Sequence, residues 1–300
     1  MDDSAVVTAM PPVSAWQWRG HRIAYRACGD RGPPAVLVHG FGACSGHWRH
    51  NLAELGRDCR CYAIDLLGFG ASAKPPPSPT VSYTFETWGQ QVADFCREVV
   101  SEPAFLVGNS IGCIAAMQAA VTHPERVLGV AAINFSLRRL HECKRGNLPW
   151  YRRWSAPLAQ QLLSVGPIGR AFFRRLARPG TVRRILQQAY PQAEAVTDEL
   201  VALLLEPARD PGAAEVFIAF VNYSGGPLPE ELLPELACPA LVLWGTADPW
   251  EPVELGRQAA DWSTVERFVP LPGLGHCPHD EVPERVNPLL RDWLLAHWHR

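Results

Sequence analysis

The chain has 300 residues, of which 47 % are hydrophobic and 19 % are charged. These shares are those of a globular protein and exclude a disordered or fibrous chain. The formal net charge of −2 gives the whole molecule no attraction to nucleic acid, and we expect no nucleic-acid partner. A chain of this length can form one α/β domain that carries an insertion.

The cellular setting is constrained by cysteines and apolar segments. Nine cysteines are scattered through the chain, and we expect them to be reduced thiols. Residues 1–10 lack the basic and apolar regions of a signal peptide, so we expect a cytoplasmic protein that is not secreted. No apolar stretch is long enough to cross a bilayer, so any membrane contact is expected to be peripheral. The sequence leaves the oligomeric state open.

The predicted elements begin after a flexible tail, residues 1–13. Apolar residues alternate on either side of Arg19-Gly20-His21, which predicts a β-hairpin. Short apolar runs typical of parallel strands covered on both faces follow at residues 35–39, 61–65, 104–109, 127–134, 240–245 and 265–270.

Helical patterns separate several of these runs. One helical stripe consists of Phe85, Trp88, Val92, Phe95 and Val99, and a second helix is predicted from Ser110 to about His123. Alternation of this kind predicts an α/β fold with a mostly parallel, eight-stranded sheet flanked by helices. Residues 137–235 show helical patterns and no strong strand signal. We interpret them as a helical cap inserted into a core domain of residues 14–136 and 236–300.

A candidate nucleophile lies directly between a predicted strand and a predicted helix. Gly108-Asn109-Ser110-Ile111-Gly112 matches the pattern G-x-S-x-G. A nucleophilic serine must protrude from such a turn, and the flanking glycines leave room that larger side chains would fill. We therefore predict that Ser110 is catalytic. The alternative is a glycine-containing turn with an ordinary serine.

Two further residues complete the chain order Ser, Asp, His. Asp248 follows the predicted strand 240–245, and His276 follows the last predicted strand, so both lie where open α/β sheets build their sites. We predict that His276 takes the proton from Ser110 while Asp248 orients the imidazole. Residues 134–136 offer no carboxylate after an earlier strand, which favours Asp248 as the acid.

His279 is a rival base, because it lies three residues after His276 and next to Asp280. We prefer His276, since Gly275 gives it a tight turn directly after a strand. His276, Cys277 and His279 are also metal-ligating residue types, but no second cluster supplies the remaining ligands. We therefore expect no metal, and the predicted chemistry requires no cofactor.

The loop after the first parallel strand reads His39-Gly40-Phe41-Gly42. We predict that the backbone N–H groups of Phe41 and Ile111 form an oxyanion hole, which stabilises negative charge on an attacked carbonyl oxygen. Asp65 also ends a predicted strand. We expect it to bind loop backbone or an arginine rather than to take part in the chemistry.

Together these motifs resemble the α/β-hydrolase superfamily along nearly the whole chain. A narrower resemblance is to the pheophytinase family and the related chlorophyll dephytylases, which hydrolyse the phytyl ester of chlorophyll pigments. It is carried by Asp248-Pro249-Trp250, Gly108-Asn109-Ser110, Leu55-Gly56-Arg57-Asp58, Ala63-Ile64-Asp65 and Gly275-His276-Cys277-Pro278-His279-Asp280-Glu281-Val282-Pro283-Glu284. Ile111 and Cys113 depart from that family, in which Leu and Gly are usual. The chain is also shorter than plant pheophytinases, and we expect it to have no transit peptide.

The resemblance implies an α/β-hydrolase fold and hydrolysis of a small lipophilic ester, pheophytin or chlorophyll, through an acyl-enzyme on Ser110. One alternative is a carbon–carbon bond hydrolase acting on a vinylogous diketone, because members of that group also resemble the chain at residues 108–112. Another is a ligand receptor that keeps the fold and triad but turns over negligibly. The serine argues against dehalogenases and epoxide hydrolases, which place Asp at this turn.

The charge distribution of the predicted cap is uneven. Between Cys143 and Gln192 there is no Asp or Glu but ten basic residues, namely Lys144, Arg145, Arg152, Arg153, Arg170, Arg174, Arg175, Arg178, Arg183 and Arg184. Apolar residues lie among them: Trp150, Tyr151, Trp154, Leu162, Leu163, Ile168, Phe172 and Phe173. This mixture is typical of helices on an anionic lipid surface. We hypothesise peripheral contact with a membrane, a photosynthetic one if the pheophytinase resemblance holds; a solvated basic face is the alternative.

Overall fold

The structure is a computed structural model that describes residues 10–147 and 158–298. Its centre is one eight-stranded sheet with the order β1-β2-β4-β3-β5-β6-β7-β8. The strands are β1 (Ser14–Trp18), β2 (His21–Cys28), β3 (Pro34–Val38), β4 (Arg60–Ile64), β5 (Ala104–Asn109), β6 (Val127–Ile133), β7 (Ala240–Gly245) and β8 (Val265–Leu271).

Strand direction follows the predicted pattern. β2 pairs antiparallel with both β1 and β4, whereas the pairs from β4 through β3 to β8 are all parallel. The hairpin and the mostly parallel sheet are thus confirmed. Every residue of β3, β5 and β7 is buried, because helices cover both faces of the sheet.

Helices fill the intervals between strands. They are α1 (Leu52–Leu55), α2 (Phe85–Phe95), α3 (Ile111–Thr122), α4 (158–164), α5 (Gly166–Leu176), α6 (Pro179–Ala189), α7 (Asp198–Leu205), α8 (Ala213–Asn222), α9 (Pro229–Leu232), α10 (Val253–Gly256), α11 (Pro278–Glu281) and α12 (Pro283–His297). α2 begins after Thr84, whose side chain accepts from Thr87 N, and buries Phe85, Trp88, Val92 and Phe95 as the stripe predicts.

The hydrophobic core has two layers, one on each face of the sheet. Val36 and Leu106 point to the layer that contains α2 and α3. Their strand neighbours Leu37 and Val107 point to the opposite layer, which contains Leu290 of α12. This double covering holds the carboxyl ends of the parallel strands in a fixed array.

Between β6 and β7 the described residues are helical or irregular and include α4 to α9. A small apolar cluster in this segment, with Leu186 and Leu200 at its centre, packs against Cys277 beyond β8. α5 packs on α8, where a Cβ on Gly169 would lie 2.6 Å from Ile218 Cδ1. The division of the chain into tail, core and cap stays a prediction. No helix of the described segments has the length and apolar character needed to cross a membrane.

Candidate active site

The turn between β5 and α3 holds Ser110 in a backbone conformation that L-residues rarely adopt. Its φ is 55° and its ψ is −122°, whereas the flanking residues belong to regular strand and helix. Such a conformation costs about 1–3 kcal/mol and persists only where the surroundings enforce it. Here Ser110 N donates to Ile133 O at 3.1 Å, and Ser136 N donates to Ser110 O at 3.3 Å. The turn is therefore fixed by the end of the neighbouring strand β6.

Two glycines allow the close packing that this turn requires. A Cβ on Gly112 would lie 2.3 Å from Val38 O, far inside contact distance, so α3 approaches β3 only because the position is Gly. A Cβ on Gly40 would lie 3.1 Å from the Cβ of Ser110. The loop after β3 thus lies directly against the serine side chain.

Asp248 and His276 meet beyond the ends of β7 and β8. His276 Nδ1 lies 2.6 Å from Asp248 Oδ2, and both side chains are buried. Burial raises the pKa of the Asp248 carboxyl, but hydrogen bonds with His276, Trp250 N and Asn134 lower it further, so the net pKa is below its ordinary value. The carboxylate stays ionised and favours the imidazole tautomer with its proton on Nδ1.

Ser110 and His276 line the same cavity, whose volume is about 410 Å³. Its lining is mainly apolar and includes Phe41, Phe173, Leu176, Val182, Ile185, Leu186, Leu204, Phe217 and Trp250. Within the described residues the Ser110 hydroxyl makes no hydrogen bond, to His276 or to any other group. Contacts of this kind are often long before substrate binds. The cavity therefore holds a candidate nucleophile and base around space for an apolar ligand.

A model of the alpha/beta hydrolase family matches residues 35–289, a range that contains the strands from β3 to β8 and all the elements around the cavity. The chain belongs to the alpha/beta hydrolase family.

The names of individual relatives of this hydrolase state different activities. The chloroplastic pheophytinase of Arabidopsis thaliana is 30 % identical over 91 % of this chain, which spans only 64 % of that relative's length. The 2-hydroxymuconate semialdehyde hydrolase of Pseudomonas sp. strain CF600 is 26 % identical over 88 % of this chain and 87 % of its own. Among solved structures, a membrane phospholipase A described as a bacterial virulence factor matches with a TM-score of 0.71 and 26 % identity, over 94 % of this chain and 85 % of its own.

The predicted oxyanion donors of the hydrolase lie on the two loops beside Ser110. Ile111 is the first residue of α3, so its N–H has no acceptor within the helix. The Phe41 ring stacks on Phe220 of α8 with centroids 4.8 Å apart, and His39 Nδ1 lies 2.7 Å from Gly40 O. The oxyanion hole stays a prediction.

The hydrolase places the other predicted side chains away from this cavity. His279 is fully buried, with neither ring nitrogen bonded to a described group, and it packs on Trp48 with centroids 4.3 Å apart. Burial holds the pKa of His279 well below its ordinary value. Asp65 accepts from Ser45 N and, at 2.7 Å, from Ala71 N, which confirms the expectation that it binds loop backbone. No group of three His, Cys, Asp or Glu side chains in residues 10–147 and 158–298 is arranged to hold a metal ion.

Sequence reasoning missed two asparagines that hold the site together. Asn134, with φ 43°, donates from Nδ2 to Asp248 Oδ2 at 2.8 Å and accepts at Oδ1 from Gly245 N at 2.8 Å. Asn109 donates from Nδ2 to His276 O at 3.0 Å. Both lie at the carboxyl ends of central parallel strands, which is the signal that could have found them.

The backbone of His276 is also tied to the segment between β6 and β7. His276 N donates to Ala189 O at 2.9 Å, where Ala189 is the last residue of α6. A Cβ on Gly275 would lie 2.0 Å from that same oxygen, so the glycine permits the contact. The loop of the candidate base is thus held from one side by Asn109 and from the other by α6.

Glu251 is a further side chain of the cavity that sequence reasoning missed. Its Oε2 is buried and has no hydrogen-bond partner among the described residues. Burial raises the pKa of the Glu251 carboxyl to about 7; the charge of His276 lowers it and that of Asp248 raises it. The sequence signal that could have identified Glu251 is its position three residues after Asp248. The cavity lining therefore contains an acid whose neutral form is favoured by burial.

Proposed function

We propose that this hydrolase cleaves a carboxylic ester through an acyl-enzyme on Ser110. The observation that carries the proposal is the strained turn that projects Ser110 into one cavity with His276, whose Nδ1 is bound to Asp248. A serine hydroxyl is a weak nucleophile until an adjacent base accepts its proton. The three groups follow β5, β7 and β8 at the same edge of the sheet, which supports this chemistry.

The reaction proceeds in two steps. Ser110 Oγ attacks the ester carbonyl carbon and its proton passes to His276 Nε2, while the N–H groups of Phe41 and Ile111 stabilise the oxyanion. The carbon–oxygen bond then breaks, and the same proton passes to the leaving alcohol. In the second step His276 takes a proton from water as the water oxygen attacks the acyl carbon. The bond between that carbon and Ser110 Oγ then breaks, the acid leaves, and the proton passes from His276 to Ser110 Oγ. Asp248 stabilises the imidazolium in both steps.

The substrate we propose is the phytyl ester of a chlorophyll-type pigment, pheophytin or chlorophyll. The apolar cavity lining supports a long apolar alcohol as leaving group. The similarity to a pheophytinase over 91 % of this chain supports the phytyl ester in particular. Reaction at this ester requires the carbonyl carbon at Ser110 and the apolar chain along α5 and α6.

The test is to incubate purified protein with pheophytin, chlorophyll and short acyl esters. We expect the parent to release phytol and the free pigment acid, and Ser110→Ala to release neither. Ser263→Ala, at an exposed serine outside the cavity, is the matched control and should behave as the parent. Cleavage of short esters alone would retain the hydrolase mechanism and discard the pigment substrate.

A carbon–carbon bond hydrolase is the second candidate. It is supported by the 26 % identity to a 2-hydroxymuconate semialdehyde hydrolase over most of both chains. Incubation with a vinylogous diketone, followed by loss of its absorbance, separates the candidates. Turnover of the diketone without cleavage of any ester would replace the first proposal by the second.

A further inference from the structure

An exposed apolar surface lies on α4, α5 and α6. It consists of six side chains, each exposed over more than a third of its area: Leu158, Leu162, Val165, Ile168, Phe172 and Ile185, which are 68 %, 55 %, 49 %, 41 %, 42 % and 39 % exposed. We call this set the apolar face. Twelve large apolar side chains of the described residues are exposed to this degree, so half of them fall within residues 158–185. Such a concentration marks an interaction surface.

α5 packs on α8 through Gly169 and through Phe173, whose ring centroid lies 5.3 Å from that of Phe217. Within the apolar face, Phe172 also reaches Phe217, with ring centroids 6.1 Å apart, and its side chain still stays 42 % exposed. Leu163 and Phe173 are half-buried and fit the alternative in which the apolar residues pack inward. The six residues of the apolar face do not fit that alternative, because their side chains remain exposed although α5 is packed on α8.

Positive charge lies around the apolar face. Residues 166–189 contain six arginines and no acidic residue. Arg170 pairs with Glu215 at 3.4 Å, and Arg183 pairs with Asp198. The other four are exposed and form no ion pair in the described parts of the chain: Arg174, Arg175, Arg178 and Arg184. The basic and aromatic residues at 150–154 of the predicted cap lie outside the described residues, as does the side chain of Arg145.

The same two helices form a wall of the candidate active site. Phe173 and Leu176 of α5 and Val182, Ile185 and Leu186 of α6 line the cavity that contains Ser110. Ile185 belongs to both sets, since it lines the cavity and is 39 % exposed. The apolar face therefore reaches the cavity at Ile185.

We propose that the apolar face and its four arginines dock on an anionic lipid bilayer, from which a lipophilic ester enters the cavity between α5 and α6. Apolar side chains at the acyl boundary and arginines at the phosphates are the contacts that such a surface offers. A second copy of the chain fits poorly, because a two-fold interface here would bring eight unpaired arginines together. Docking itself requires no catalysis, whereas entry of an ester rests on the proposed function.

Binding is measured with Ser110→Ala by co-sedimentation with vesicles of phosphatidylcholine, with or without phosphatidylglycerol. We expect binding to the anionic vesicles that weakens as salt is added. Replacing Arg174, Arg175, Arg178 and Arg184 by Gln should weaken it by about fivefold per arginine. The matched control replaces Arg57, Arg97, Arg267 and Arg291, which lie outside the apolar face, by Gln, and should bind as the parent does. Leu162→Ser with Ile168→Ser should weaken binding but keep its salt dependence.

Three results would overturn the docking proposal: equal binding to both vesicle types, equal loss in both arginine variants, or a dimer that forms through the apolar face without vesicle binding. Hydrolysis of a soluble short ester is measured in parallel with the protein that retains Ser110. Vesicle binding by a protein that cleaves no ester would retain docking and discard the proposed function. Ester cleavage without vesicle binding would retain the proposed function and discard docking.

Discussion

The side chain of Asn109 joins the candidate nucleophile to the candidate base. Its Nδ2 donates to the backbone oxygen of His276 at 3.0 Å and to that of Ile133 at 3.2 Å. Because Asn109 directly precedes Ser110, the end of β5 sets the position of the serine and of the imidazole loop together. This contact leads to the first of four predictions.

Asn109→Ala removes both hydrogen bonds and leaves two buried carbonyl oxygens without this donor. We expect the free energy of unfolding to fall by about 1–3 kcal/mol. We also expect kcat for a short ester to fall more than KM changes, because the imidazole loop loses its anchor. Chemical denaturation and steady-state kinetics measure the two effects. Asn222→Ala removes one bond to a backbone oxygen within α8 and should leave kcat unchanged; equal kcat values in both variants would contradict the anchoring role.

Asp248→Asn tests the contact between the acid and the base. The amide cannot stabilise the imidazolium or favour the same tautomer, so we expect kcat to fall by about 10⁴-fold, the loss that the same substitution causes in a known Ser-His-Asp triad. The fold should be retained, because the amide has the shape of the carboxylate and its one oxygen can still accept from Trp250 N and Glu251 N. Asp261→Asn, at an exposed position, is the control. A variant at position 248 with nearly full activity would show that another group orients His276.

Glu251 makes stability depend on pH. Burial raises its pKa to about 7, from an ordinary value near 4.5, so the folded protein binds this proton more tightly than the unfolded chain does. Stability from this group is present below pH 4.5 and is lost as the pH rises towards 7. We expect Glu251→Gln to reduce the loss of unfolding free energy between pH 5 and pH 8 by on the order of 2 kcal/mol. Denaturation at both pH values measures it.

The control for this pH effect is Glu254→Gln, at an exposed position three residues further along. It should lose as much stability between the two pH values as the parent does. An unchanged pH dependence in Glu251→Gln would mean that the carboxyl is not held neutral by burial.

Gly112→Ala tests the close approach of α3 to β3. The new Cβ would meet Val38 O at 2.3 Å, so the backbone of the turn must shift. We expect a loss of about 1–3 kcal/mol of unfolding free energy, together with loss of esterase activity. Gly180→Ala in α6 meets no atom within 4 Å and should be neutral or slightly stabilising. Thermal melting and ester hydrolysis compare the two; an active, stable Gly112→Ala protein would be inconsistent with the described turn.

Apolar periodicity predicts the fold, because continuous apolar runs separated by helical stripes can be buried in few arrangements other than a parallel sheet covered by helices on both faces. The predicted strands nevertheless extend one residue too far at His39, Asp65 and Asn134. These polar residues leave the strand, since their side chains bond to loops: His39 Nε2 accepts from Leu66 N at 3.1 Å, and Asn134 adopts a positive φ to reach Asp248. The end of a strand is thus set by contacts distant in sequence.

The candidate site is predictable only in part, for the same reason. The turn at Ser110 has a local pattern, and the acid and base follow strands, so their chain order indicates them. No spacing pattern in the sequence indicates contacts between separate loops. Such contacts involve Asn109, Asn134 and Glu251. In the sequence Asn134 stands out only as a strand end without a carboxylate, although its amide holds the carboxylate that follows β7.

The hydrogen bond from His276 N to Ala189 O has a mechanical consequence. α6 ends at Ala189, so the helix that walls the cavity and the strand-end loop of the imidazole move as one body while that bond persists. A gap wide enough to admit a bulky molecule beside α6 must either carry His276 with it or break this bond. Substrate entry and alignment of the proton acceptor are thereby linked through a single peptide group.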